Sequence, residues 1–99
     1  MKGRTIEDAA IVMSPADTVA TALADLEAER TIPVDGGEVT IGEPIRFGHK
    51  FALCAHDDGE DVLKYGAVIG RTTRPIEAGE WVHTHNMTSI RGQPEEETE

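Results

Sequence analysis

The chain is cut by turn residues at short intervals, and this limits what it can fold into. Asp35-Gly36-Gly37, Pro44-Ile45 with Gly48, Asp57-Asp58-Gly59, Gly66, Gly70 and Ala78-Gly79-Glu80 leave only brief runs between them. Glycine reaches positive φ without steric cost, proline removes a backbone donor, and aspartate bonds its own backbone, so each cluster ends a regular element. The runs that remain are apolar or alternating, which is the grammar of strands. Strands are expected at residues 9–13, 31–34, 38–42, 50–55, 61–64, 67–71 and 81–85. Asp35-Gly36-Gly37 reads as the hairpin turn between the second and third of these.

The turns also echo one another. Gly59-Glu60-Asp61-Val62 and Gly79-Glu80-Trp81-Val82 share Gly-Glu-x-Val, and Pro44-Ile45-x-x-Gly48-x-x-Phe51 resembles Pro75-Ile76-x-x-Gly79-x-x-Val82. Repeated turn-plus-strand units point to a compact β fold built from similar hairpins. One stretch reads differently. Val19, Ala22, Leu23 and Leu26 fall at i, i+3, i+4 and i+7, and Asp17 precedes them as an N-cap. A helix is therefore expected over residues 18–28, giving a fold that is mostly β with one helix.

Ninety-nine residues accommodate one domain. A formal net charge of −10, from 19 acidic against 9 basic residues, excludes nucleic acid and anionic membrane surfaces as partners. So acidic a chain with so few lysines fits a protein kept soluble by charge, as in salt-loving organisms. Residues 1–8 read as a loose lead-in without an apolar signal core, so a cytoplasmic location is expected. Residues 91–99, ending Pro94-Glu95-Glu96-Glu97-Thr98-Glu99, read as a disordered acidic tail. Cys54 is the single cysteine, and its apolar surroundings read as a buried small hydrophobe rather than a nucleophile.

The residues that can carry chemistry sit beside the turns. On a strand, His83 and His85 would share one face, with Asn86 next to them. Such a run can present a pair of metal ligands or a polar cradle for a substrate; a solvated surface pair is the plainer alternative. Phe47-Gly48-His49-Lys50 places an imidazole and an ammonium after one turn, and Lys64-Tyr65-Gly66 an ammonium and a phenol before another. Lys50 and Lys64 are two of only three lysines. They are either point charges for a substrate carboxylate or solvated hairpin ends.

Four blocks together carry a family resemblance: Asp17-Thr18-Val19-Ala20-Thr21-Ala22-Leu23; Glu43-Pro44-Ile45-Arg46-Phe47-Gly48-His49-Lys50-Phe51-Ala52-Leu53; Val62-Leu63-Lys64-Tyr65-Gly66-x-x-Ile69-Gly70; and Ile76-x-Ala78-Gly79-Glu80-Trp81-Val82-His83-Thr84-His85-Asn86. In this order they resemble the small SAF-domain module of the altronate and galactarate dehydratase family. Asp17-Thr18 stands where Asp-Asn is usual, and His56-Asp57-Asp58 where the turn is commonly more apolar. The resemblance implies an SAF-type β-clip domain over residues 9–90.

For function, the resemblance implies the small subunit of a two-component sugar-acid dehydratase, inactive alone. It would contribute strand-end residues to a metal-dependent carbon–oxygen lyase site shared with a large dehydratase subunit. His83 and His85 are the implied acid/base or metal-ligating residues. His49, Lys50, Lys64, Tyr65 and Asn86 are the implied contacts to a sugar acid. The divalent metal, Fe2+ or Mn2+, would be held mainly by the partner subunit. Open alternatives are the small subunit of a sulfolactate sulfo-lyase-like carbon–sulfur lyase and a non-catalytic SAF ligand-binding or assembly module. In isolation the chain could form a homo-oligomer.

Overall fold

The computed structural model describes residues 4–34 and 37–89. Ten strands run along them: β1 (Arg4–Ile6), β2 (Ala10–Val12), β3 (Val19–Ala22), β4 (Thr31–Val34), β5 (Gly37–Thr40), β6 (Lys50–Ala52), β7 (Asp61–Lys64), β8 (Ala67–Thr72), β9 (Trp81–Val82) and β10 (Met87–Ser89). They form a five-stranded sheet in the order β1-β2-β3-β6-β9, a three-stranded sheet β10-β8-β7, and the ribbon β4-β5. Every strand pairing is antiparallel. The mostly β reading therefore stands.

The expected helix over residues 18–28 does not. Among the described residues there is no helix, and Val19–Ala22 is a strand held between β2 and β6. Both faces of this strand are covered, which explains the misreading. Ala20 and Ala22 join Phe51, Leu26 and Ile45 in one apolar cluster, while Val19 joins Ala52, Val62, Ile76 and Val82 in the other. A strand buried on both faces needs a small or apolar residue at nearly every position, so the period of two disappears. Leu26 is buried through an isolated bridge to Ile45 rather than along a helix face, and Leu23 is only half-buried.

Other boundaries also moved. Arg4–Ile6, expected as loose lead-in, pairs with β2. The strand expected over 50–55 stops at Ala52, and Cys54 is exposed rather than buried. Partial desolvation, with the Glu60 carboxylate nearby, pushes the Cys54 thiol above its ordinary value and keeps it protonated. The strand expected over 81–85 stops at Val82, so the strand argument for a shared face of His83 and His85 lapses. Asp35, Gly36 and the acidic tail lie outside the described residues.

The echo between turns is a structural repeat. Leu26 bridges Ile45, and His56 bridges Ile76, each pair exchanging both backbone hydrogen bonds at 2.7–2.9 Å. Three residues after each bridge comes a residue at positive φ: Glu29, Gly48, Gly59 and Gly79, with φ between 74° and 88°. Two residues later a strand begins, at Thr31, Lys50, Asp61 and Trp81. At Gly79 there is no alternative to glycine, since a Cβ would also collide with the Thr40 carbonyl. This repeat sets the site, because Lys50 and Trp81 occupy equivalent strand starts and pair with neighbours on one sheet edge (Lys50↔Val82, Phe51↔Trp81).

Candidate functional site: a two-lysine cleft beside an imidazole–indole stack

Lys50 opens β6 and sits half-buried. Across the cleft Lys64 closes β7, and the chain then turns sharply through Tyr65 (φ 59°) and Gly66 (φ 73°). A non-glycine residue at positive φ must be held there. The holder is Asp17, which is buried and accepts hydrogen bonds from the backbone N–H groups of Ser14 (3.0 Å), Tyr65 (3.1 Å) and Gly66 (2.9 Å). The carboxylate read from sequence as a helix cap thus caps a distant turn. Thr18 adds a second tie, its hydroxyl accepting from the Leu63 N–H at 3.1 Å. The outcome is Tyr65 half-exposed, with the Lys64 Nζ 5.1 Å from its ring centroid.

Lys50, Lys64, Tyr65 and His83 line one open cleft of about 320 Å3, with Thr84 and Ser89 completing its polar lining and Ile69 and Met87 its apolar part. Among the described residues no carboxylate lines it, which is notable in a chain of net charge −10. Partial burial and, next, the Lys64 ammonium push the Lys50 amine below its ordinary value. Two ammonium groups close enough to perturb each other form a receptor for anions.

The run Trp81-Val82-His83-Thr84-His85-Asn86 leaves the sheet after Val82 and closes a tight turn. Asn86 is its clip. The side chain is fully buried, its Oδ1 accepts from the His83 N–H at 2.9 Å, and its Nδ2 donates to the Trp81 carbonyl at 2.8 Å. The Asn86 N–H also donates to the His83 carbonyl at 3.1 Å. Asn86, expected to touch substrate, therefore lies beneath the site with its amide engaged by the backbone.

The clip gathers rings on Trp81. His83 stacks on the indole at 5.1 Å between centroids and 11° between planes, and His85 lies at 4.9 Å and 41°. His49, in the turn before β6, meets the indole edge at 5.5 Å and His83 at 5.6 Å. The Trp81 Nε1–H donates to His49 Nδ1 at 3.1 Å. Desolvation, then His49, Lys50 and His85, push His83 below its ordinary value, so it is neutral at pH 7. His83 thus reaches both cleft and stack; His49 and His85 belong to the stack and do not line the cleft.

The divalent metal implied by the family resemblance would need several converging donors. Among the described residues no group of three or more His, Cys, Asp or Glu side chains converges. Within the cleft the groups that accompany His83 are two ammoniums and a phenol, which repel a cation or bind it poorly at neutral pH. The described residues alone therefore do not fit a complete metal site. Sequence reasoning missed Thr84, Ser89 and Met87 as lining and Trp81 as the ring platform. A tryptophan between a turn glycine and paired histidines was the one available signal.

A family model described as the altronate/galactarate dehydratase SAF domain matches residues 8–90. Over 70 residues the chain is 46% identical to an altronate dehydratase of Escherichia coli (strain K12), covering 71% of this chain but only 14% of that protein. It is 33% identical over 66 residues to the (2R)-sulfolactate sulfo-lyase subunit alpha of Chromohalobacter salexigens, covering 67% of this chain and 65% of the relative. The corresponding subunit of Paracoccus pantotrophus is 42% identical over 53 residues, covering 54% of this chain and 79% of the relative. No helix among the described residues is long and apolar enough to cross a membrane.

Proposed function

The chain belongs to the altronate/galactarate dehydratase SAF-domain family, and on that premise we propose that it supplies one wall of a lyase site for a hydroxy acid, completed by a larger dehydratase chain. The observation that carries this reading is the cleft where Lys50, Lys64, Tyr65 and His83 meet from three separate sequence blocks. A cleft with one open side supports completion by a partner.

In this reading Lys50 and Lys64 receive the substrate carboxylate, and Tyr65 donates a hydrogen bond to it. Neutral His83 takes the proton from the carbon α to that carboxylate. The electron pair spreads into the carboxylate, where the ammonium groups balance the added charge. The bond from the β carbon to its hydroxyl then breaks, and the hydroxyl leaves as water on receiving the proton that His83 took up. Any divalent metal is placed on the partner chain, and no step here depends on it.

A second reading has its own support. Two ammonium groups in one cleft favour an acid with two anionic groups, such as sulfolactate, with sulfite as the leaving group; two relatives are sulfolactate sulfo-lyase alpha subunits. The native chain should be purified with its partner and assayed on altronate, galactarate and sulfolactate. His83→Ala should lower kcat by ~10²-fold or more, and Lys64→Ala should mainly raise KM. Full activity of the His83→Ala, His85→Ala double variant would leave the chain as an assembly or ligand-binding module.

A further inference from the structure

We propose that Trp81 is a positioning residue that locks His49 in one tautomer, making it a hydrogen-bond donor in the ring stack beside the cleft and leaving the base role to His83. An indole nitrogen can only donate. Its Nε1–H points at His49 Nδ1 from 3.1 Å, so Nδ1 must be the bare, accepting nitrogen. The proton of the neutral ring is then on Nε2, which cannot accept a proton while it holds one. His49 offers an N–H, and His83, 5.6 Å away, is the imidazole free to act as base.

The lock is rigid because Trp81 is held from several sides. Its N–H donates to Glu43 Oε2 at 3.2 Å, its carbonyl accepts from Asn86 Nδ2 at 2.8 Å, and it opens β9 opposite Phe51. The side chain packs on the first apolar cluster while its outer surface carries the His83 stack. His49 is placed as firmly, since its N–H donates to the Arg46 carbonyl at 3.0 Å and its carbonyl accepts from Ala22 at 2.9 Å. These bonds fix the two backbones, and the rings are held by their mutual hydrogen bond and by stacking with His83. Two imidazoles that would be interchangeable in water are thereby given different jobs by one indole N–H.

The tautomer is a property of the chain alone, whereas its catalytic consequence rests on the lyase reading above, so the test has two arms. In the first, nitrogen-15 spectra of the histidine side chains of the unmodified chain should show His49 protonated at Nε2, with a coupling across the Trp81 Nε1–H···Nδ1 bond. Trp81→Phe keeps a stacking ring but removes the donor, and should convert His49 to a mixture of tautomers. A protonated Nδ1 at pH 7–8, or an unchanged His49 in Trp81→Phe, overturns the proposal whatever the enzyme assay gives. In the second arm the complex with the partner chain is assayed. His49→Gln can place an amide oxygen towards the indole and keep an amide N–H in place of the Nε2–H. It should therefore recover most of the activity lost in His49→Ala, which should fall by ~10-fold or more for a donor to a charged group. His49→Gln as inactive as His49→Ala would make His49 an acid/base and overturn the assignment. Inactivity of the unmodified complex on every acid would count against the lyase reading alone, because the first arm still reports on the lock.

Discussion

Replacing Asn86 by alanine tests whether this side chain is a clip or a ligand. It is fully buried, and its amide joins the His83 N–H to the Trp81 carbonyl through bonds of 2.9 and 2.8 Å. Alanine leaves both backbone groups without these partners. Each such loss costs about 1–3 kcal/mol where water cannot replace the bond. The turn reaches the surface at His83 and His85, so the His83 N–H can recover part of its loss from solvent. The expected destabilisation is therefore about 2–4 kcal/mol, or ~10 °C or more in the thermal midpoint of a domain this small. Urea unfolding followed by tryptophan fluorescence measures it, and Trp81 is both the only tryptophan and the residue whose carbonyl is released. A loss below about 1 kcal/mol, with weakened acid binding in the folded variant, would refute the reasoning and restore Asn86 as a substrate contact.

Three further outcomes follow from the same structure. Lys50 has its amine pushed down by burial and then by Lys64, so folding disfavours its protonated form. That penalty is complete below the folded pKa and is relieved as pH rises from there towards the unfolded value. Lys50→Met should be the more stable protein at pH 7 and should lose the rise in stability with pH in that alkaline window; equal pH profiles in denaturant titrations would disprove the shift. His56 fills a bridge position where Leu26, Ile45 and Ile76 stand in the other units, and it is buried with Nε2 lacking a partner among the described residues while Nδ1 donates to the Cys54 carbonyl at 2.9 Å. His56→Leu should gain about 0.5–2 kcal/mol by removing the unpaired nitrogen, and a loss of that size would show that the Cys54 bond matters more. Finally, a net charge of −10 should make the thermal midpoint rise from dilute buffer to molar sodium chloride, and a flat or falling midpoint would end the salt-adaptation reading.

Local turn chemistry was legible in the sequence because glycine, proline and aspartate act over a few residues. The expected strands at 31–34 and 61–64 match β4 and β7, and the Pro-Ile-x-x-Gly echo marks two of the repeated bridge-and-turn units. The unit at Leu26 carries no such signal, because Glu29, not glycine, occupies its positive-φ position. Lys50, Lys64, Tyr65 and His83 were singled out by residue type beside turns, and they line one cleft. Tertiary structure decided what depends on distant partners. Val19–Ala22 is a strand because β2 and β6 flank it and two apolar clusters cover it, conditions that the local spacing of Val19, Ala22, Leu23 and Leu26 does not record. Asp17 caps the Tyr65 turn instead of a helix because residues far along the chain bring their N–H groups to it. Asn86 points inward and the imidazoles gather on Trp81 for the same reason: which side chain is spent on backbone and which is left for chemistry is settled only when the strands have packed.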